Sequence, residues 1–169
     1  MPFEFSKEME ARFAKVLEKY PAEHKKAALI PALYLVQEQH GYLTIDGMKY
    51  IAGRLDISAS EVLNTATFYT LLRKEPHGRF HLQVCTNVSC FLRGSDDLIR
   101  MIRDKCGIGP GEMSDDRRFS CEEVQCLAAC GTAPVVQVNW DYHEKLTTES
   151  FSTLLEELQS REISAPEGA

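Results

Sequence analysis

The sequence predicts an α+β protein: a small N-terminal helical bundle over residues 1–75, an α/β domain over residues 76–161, and a disordered tail over residues 162–169. Three observations carry that reading. Apolar residues recur at three- and four-residue steps through the first part of the chain. From Pro76 the pattern changes to strand-like alternation around one clear amphipathic helix. All six cysteines fall between Cys85 and Cys130, so whatever chemistry they serve belongs to the second part.

In chain order, Met9, Phe13, Val16, Leu17 and Tyr20 form one apolar stripe. Ser6 is a candidate N-cap for that helix, and Pro21 is expected to stop it. In AEHKKAALIPALYLVQEQHG, Pro31 should kink the segment or split it in two, and Gly41 suits a C-terminal cap. Thr44 can cap TIDGMKYIAGRLD, whose Met48, Ile51, Ala52 and Leu55 share a face. Ser58 and Glu61 form the capping-box pattern ahead of Val62, Leu63, Ala66 and Tyr69. Short helices with short links point to a bundle. Beyond Pro76, RFHLQVC alternates like a strand. SDDLIRMIRDKCG is helical, with Leu98, Met101, Ile102 and Cys106 on one side. GIGPGEMSDD is a loop, and FSCEEVQC is a short strand or turn. PVVQVNWDYHEKLT holds two strands around a polar turn near residues 139–142. Thr147 caps a last helix with Phe151, Leu154, Leu155 and Leu158 inward. The order is β-α-β-β-β-α.

The totals exclude several function classes. A chain of 169 residues can bury a core without disulfides. A net charge of −6 argues against non-specific nucleic-acid binding, which depends on Lys and Arg neutralising phosphates. No apolar stretch approaches the roughly 20 residues that span a bilayer. The start, MPFEFSKEMEARF, is charged and amphipathic, unlike a secretory signal. Without export, clustered cysteines point to metal binding or redox work rather than to a disulfide framework.

Two close pairs stand out: CTNVSC, with Cys85 and Cys90, and CLAAC, with Cys126 and Cys130, separated by 35 residues. Brought together by a fold, they make a four-thiolate site. Zinc accepts four cysteines, usually in pairs two to four residues apart, and the first pair sits at the edge of that range. A two-iron cluster is wider than one zinc ion and takes two thiolates on each iron, so wider spacings on two separate loops suit it. Spacing favours iron–sulfur without excluding zinc. Such a cluster is an anion and needs N–H donors. The amides of Thr86, Asn87, Val88 and Ser89 precede a predicted helix, and Gly131 permits close backbone approach.

CTNVSC, the 35-residue gap and CLAACGTAPVVQVN together resemble the thioredoxin-like two-iron ferredoxin family, and within it the NuoE-type subunits of bacterial NADH:quinone oxidoreductase (respiratory complex I). ALIPALYLVQEQHGYLT and EVLNTATFYTLL resemble the N-terminal region of those subunits, so the similarity runs over roughly residues 5–160. The resemblance implies a thioredoxin-like fold for the C-terminal domain and one [2Fe–2S] cluster on Cys85, Cys90, Cys126 and Cys130. It implies electron exchange with the FMN of the flavin-containing, NADH-oxidising subunit (NuoF type). Such a chain would sit in the larger peripheral arm of complex I, on the cytoplasmic face of the inner membrane, with no nucleic-acid partner and no membrane insertion of its own. The same module occurs in NAD-linked hydrogenases and formate dehydrogenases. Pro134 falls where a proline shapes the loop beside the site in thioredoxin-like folds.

The remaining features have plainer readings. Cys121-x4-Cys126 repeats the first spacing, so Cys121 competes as a ligand, but the family pattern places the pair at Cys126 and Cys130. Cys106 and Cys121 are then core and strand residues. His81 lies four residues before Cys85, yet no second histidine accompanies it as a Rieske-type site requires. TIDGMKYIAGRLDISASEVLNTATFY fits a helix-turn-helix, but SASEVLNTATFY carries no Lys or Arg to face DNA. GIGPGEMS lacks the lysine of a phosphate loop. No nucleophile–base pair and no dinucleotide fingerprint occurs, so an NADH site of its own is not expected. Two rivals to the electron carrier remain: a structural zinc module, and a winged-helix regulator with a metal or redox switch.

Overall fold

The computed structural model describes residues 3–161; the expected tail at 162–169 lies outside the described residues. The chain divides into two compact units, with the break between Pro76 and His77.

In the first unit, α1 (Lys7–Leu17) starts where the Ser6 hydroxyl accepts the Met9 N–H at 3.2 Å. It ends at Leu17, before Pro21 is reached. A 3-10 stretch, Ala22–Ala28, precedes α2 (Leu29–His40). The expected split therefore falls ahead of Pro31, which lies in the first turn of α2, where a missing N–H leaves no bond unmade. Gly41 closes α2 at φ 86°. α3 (Ile45–Leu55) is capped by Thr44, whose hydroxyl accepts the Gly47 N–H at 3.0 Å. A Cβ on Gly47 would lie 2.7 Å from Val36 Cγ1, so glycine lets α3 approach α2. α4 (Ala59–Phe68) carries the full Ser58/Glu61 capping box. Phe13, Leu33, Val36, Leu43, Ile51 and Val62 build the core. The buried Gln37 fastens the chain after α4: its Nε2 donates to the Leu71 carbonyl at 3.0 Å, and its Oε1 accepts the Arg73 N–H at 2.7 Å.

The second unit is a four-stranded mixed sheet in the order β2-β1-β3-β4. Its elements are β1 (Phe80–Cys85), α5 (Val88–Leu92), α6 (Ser95–Cys106), β2 (Phe119–Val124), β3 (Val136–Val138), β4 (Asp141–His143) and α7 (Thr148–Ser160). β1 runs parallel to β2 and antiparallel to β3, and β3 pairs antiparallel with β4. The expected β-α-β-β-β-α order is present, with one addition: the short α5 inside the CTNVSC segment.

All six β1 residues are buried, so both faces of this strand are covered. Alternation sorts them. Phe80, Leu82 and Val84, with Phe119, Cys121, Val136 and Val138, pack with Leu98 and Ile102 of α6 and Phe151 and Leu155 of α7. His81, Gln83 and Cys85 point the other way. There the Gly78 N–H donates to Ser120 Oγ at 2.9 Å, and Ser120 Oγ lies 2.8 Å from His81 Nδ1. The Glu122 carboxylate, 3.2 Å from His81 Nε2, can only accept, so Nε2 donates to it, and Nδ1 is left to Ser120 Oγ. The bonds at both nitrogens of His81 are thus filled within the strand pair. A Cβ on Gly78 would sit 2.4 Å from the Phe119 carbonyl carbon, so the turn into β1 requires glycine.

Candidate metal centre

Cys85 ends β1, and its N–H donates to the Val135 carbonyl at 3.3 Å. The next residue, Thr86, donates its N–H to the Val124 carbonyl at 3.1 Å, carrying the parallel ladder one rung past the strand. Asn87 then caps α5: its Oδ1 accepts the Val88 N–H at 2.8 Å. α5 delivers Cys90, 1% exposed, back beside Cys85. The other pair lies on the loop after β2. Cys126 and Cys130 are exposed, and Cys130 opens a 3-10 turn that runs to Thr132. The cis Ala133–Pro134 bond follows directly.

Cys85, Cys90, Leu127 and Val135 share a small apolar cluster separate from the main core, with Val124, Ala129 and Ala133 packed on it. Burial pushes the Cys90 thiol up to about 11, followed by a hydrogen bond with the Cys85 thiol and the nearness of Cys85 and Cys130; a bond from the Val135 backbone amide works in the opposite direction. Cys85 and Cys130 therefore both lie near the Cys90 thiol. Cys126 Sγ accepts the Ala128 N–H at 3.2 Å, with Ala128 in the left-handed region at φ 57°.

Two amides, Val135 on Cys90 and Ala128 on Cys126, are thus aimed at sulfur, as an anionic metal–thiolate centre requires. The Ala128 donor comes from the second ligand loop rather than from the first, where the sequence places the donors. The Thr86 and Val88 amides of the first loop are spent elsewhere, one on the Val124 carbonyl and the other on Asn87. Val135 is not legible in the sequence, since it lies nine residues past Cys126 and reaches Cys90 only through the β1–β3 pairing. Among the described residues, no three His, Cys, Asp or Glu side chains gather as a ready site for a single metal ion. The donor set of four thiols on two loops, with amides directed at sulfur, fits a two-iron centre, which spreads its ligands over two metals.

The other two cysteines lie elsewhere. Cys121 pairs with Leu82 across the β1–β2 ladder and belongs to the main core, and burial pushes its thiol up to about 12. Cys106, the last residue of α6, is half-buried against the same core, and burial raises it to about 11. In the metal-free protein at pH 8, iodoacetamide is therefore expected to label Cys126 and Cys130 first and Cys121 last, because a buried thiol with a raised pKa supplies little thiolate. Peptide mass mapping over time checks the order; early labelling of Cys121 would contradict it.

A parallel β1–β2 pair crossed over by helices, an antiparallel β3–β4 hairpin and cysteines on adjoining loops define a class, and the chain belongs to it: the thioredoxin-like [2Fe-2S] ferredoxin family, whose sequence pattern matches residues 13–159. Within that class the chain is similar to the E subunit of NADH-quinone oxidoreductase from Rickettsia bellii (strain RML369-C), with 40% identity over 159 residues, 94% of this chain and 95% of that protein. The corresponding protein of Rickettsia conorii (strain ATCC VR-613 / Malish 7) is 37% identical over the same shares. Among solved structures, the chain resembles part of an NAD+-reducing [NiFe]-hydrogenase in the H2-reduced state, with a TM-score of 0.71, 20% identity and 80% of this chain covered. It spans 22% of that hydrogenase chain, and this likeness concerns the fold.

Proposed function

We propose that this chain is the electron-carrying subunit of a respiratory NADH:quinone oxidoreductase, holding one [2Fe–2S] cluster on Cys85, Cys90, Cys126 and Cys130. The reading is carried by the similarity, across 94% of the chain, to the Rickettsia NADH-quinone oxidoreductase proteins. It is supported by the two cysteine loops lying side by side with backbone amides aimed at sulfur. A cluster bound there supplies one-electron oxidation and reduction. The chain's own residues supply the rest. Cys85 and Cys90 lie in an apolar pocket that excludes water, while Cys126 and Cys130 sit at the surface, where transfer to another chain is short.

The electron partner in this proposal is the FMN of an NADH-oxidising subunit, within an assembly on the cytoplasmic face of the inner membrane. Among the described residues, no helix is long and apolar enough to cross a membrane. Support for a protein partner beside the site comes from α5, where Val88, Phe91 and Leu92 are 67%, 56% and 75% exposed between and just after the first two thiols. Apolar side chains gathered in the open mark an interaction surface. In the helical unit, Phe68 and Tyr69 at the end of α4 are 78% and 44% exposed and are candidates for a second docking patch. A place in an NAD-linked hydrogenase is the second reading, favoured by the fold likeness alone.

The test is anaerobic purification of the full chain with iron and sulfide analysis. The expected protein is red-brown, bleaches with dithionite, becomes paramagnetic on reduction, and holds about two irons and about two sulfides per chain. Co-expression with the flavin-bearing subunit should recover both chains together. A colourless protein with one zinc would replace this reading with a structural module.

A further inference from the structure

Resting on that reading, we infer that Asn87 is a positioning residue for the cluster, because its one side chain bonds to both ligand loops. Its Oδ1 accepts the Val88 N–H at 2.8 Å, fixing the start of the helix that delivers Cys90. Its Nδ2 donates to the Gln125 carbonyl at 2.8 Å, and Gln125 is the residue directly before Cys126. The residues are 38 positions apart in the chain, so this bond is purely tertiary.

Its place in the ladder explains why a side chain is needed. Across the two ligand segments, Cys85 N–H takes the Val135 carbonyl and Thr86 N–H takes the Val124 carbonyl. The ladder's next donor would be the Val88 N–H, but that group is taken by Asn87 Oδ1, and the chain has turned away into α5. Past the end of β2, the Asn87 carboxamide supplies a rung of its own, to the Gln125 carbonyl. Only a group that accepts at one atom and donates at a neighbouring one can close both contacts, and Asn does so at the shortest reach. Asn87 itself is exposed and adds nothing to the apolar core.

The consequence is specific. Asn87 sets the separation of the Cys85/Cys90 loop from Cys126, and with it the direction of the Ala128 amide onto the Cys126 sulfur. Loss of the rung should let Cys126 drift. The two arms of the carboxamide are separable by mutation. Asn87→Ser keeps an oxygen suited to the helix start, but its hydroxyl ends too short for Gln125. Asn87→Ala loses both arms.

The test uses the full chain reconstituted with iron and sulfide, in wild-type, Asn87→Ser and Asn87→Ala forms. Three quantities are measured: iron release to a chelator, the reduction potential with the reduced-state paramagnetic spectrum, and thermal unfolding of the metal-free forms. Asn87→Ser is expected to release iron about fivefold faster than wild type, the factor corresponding to one net hydrogen bond, and Asn87→Ala, which loses both arms, at least that much faster. Their potentials and spectra should be displaced together, while the unfolding temperature of metal-free Asn87→Ser falls by no more than the roughly 2–4 °C that one net hydrogen bond accounts for. A wild-type release rate and potential in Asn87→Ser would overturn the inference and leave Asn87 as a helix cap only. Should Asn87→Ala fold poorly, Asn87→Ser still decides. A wild-type protein that takes up no cluster would instead bring down the functional reading beneath it.

Discussion

Replacing Cys126 with alanine is expected to abolish the visible colour and the iron content of the protein, whereas Cys121→Ser leaves both in place. The two residues compete on spacing, since Cys121 and Cys126 repeat the separation of Cys85 and Cys90. Strand geometry separates them. Side chains alternate across a sheet, so Cys121, opposite Leu82, faces the core built by α6 and α7. Cys85, three positions beyond Leu82, faces the opposite side, with Cys90. Cys121 would have to cross the sheet to reach the site. Cys126 has left the strand and is exposed on the loop, where its sulfur already receives the Ala128 N–H. Without it, the proposed ligand set falls to three thiols, one short of the four that a [2Fe–2S] centre takes. Iron analysis and visible absorption of both variants check the expectation. Colour that survives Cys126→Ala, or is lost in Cys121→Ser, would show that the ligand set is wrong.

Phe151→Ala is expected to cost about 3–5 kcal/mol of stability, the range for deleting a fully buried aromatic ring. Phe151 is 0% exposed and carries α7 onto the sheet, among Leu154, Leu155, Leu158 and the β1 and β3 side chains. At about 2–4 °C per kcal/mol for a protein of this size, the melting temperature should fall by roughly 10 °C. Glu157→Ala, exposed on the same helix, should stay within about 0.5 kcal/mol. Chemical denaturation of the two variants distinguishes core loss from a general helix effect. Equal losses would mean that α7 is held by something other than its apolar face.

Much of the architecture could be read from local signals. Ser6, Thr44, Ser58 and Thr147 each cap the helix expected of them, because a cap is a bond to an amide three residues on and needs no distant partner. The two closing strands follow from alternation on either side of the turn at Asn139, which adopts φ 57°. The misses are also local in kind. Pro31 sits in the first turn of α2, two residues after the split, rather than at the break itself, since the first turn of a helix has no bond for proline to remove. α5 escapes periodicity because five residues are too few to show a stripe.

By itself, the sequence determined the helical first part and the β-α-β-β-β-α order of the second, because each depends on residues within a turn or a strand of one another, while the four cysteines to suspect followed from the family resemblance. Only the tertiary structure decided which face Cys121 takes, which amides point at Cys90 and Cys126, and that the Asn87 side chain spans to Gln125. Those depend on the register of β1 against β2 and β3, and register is set by packing between segments tens of residues apart.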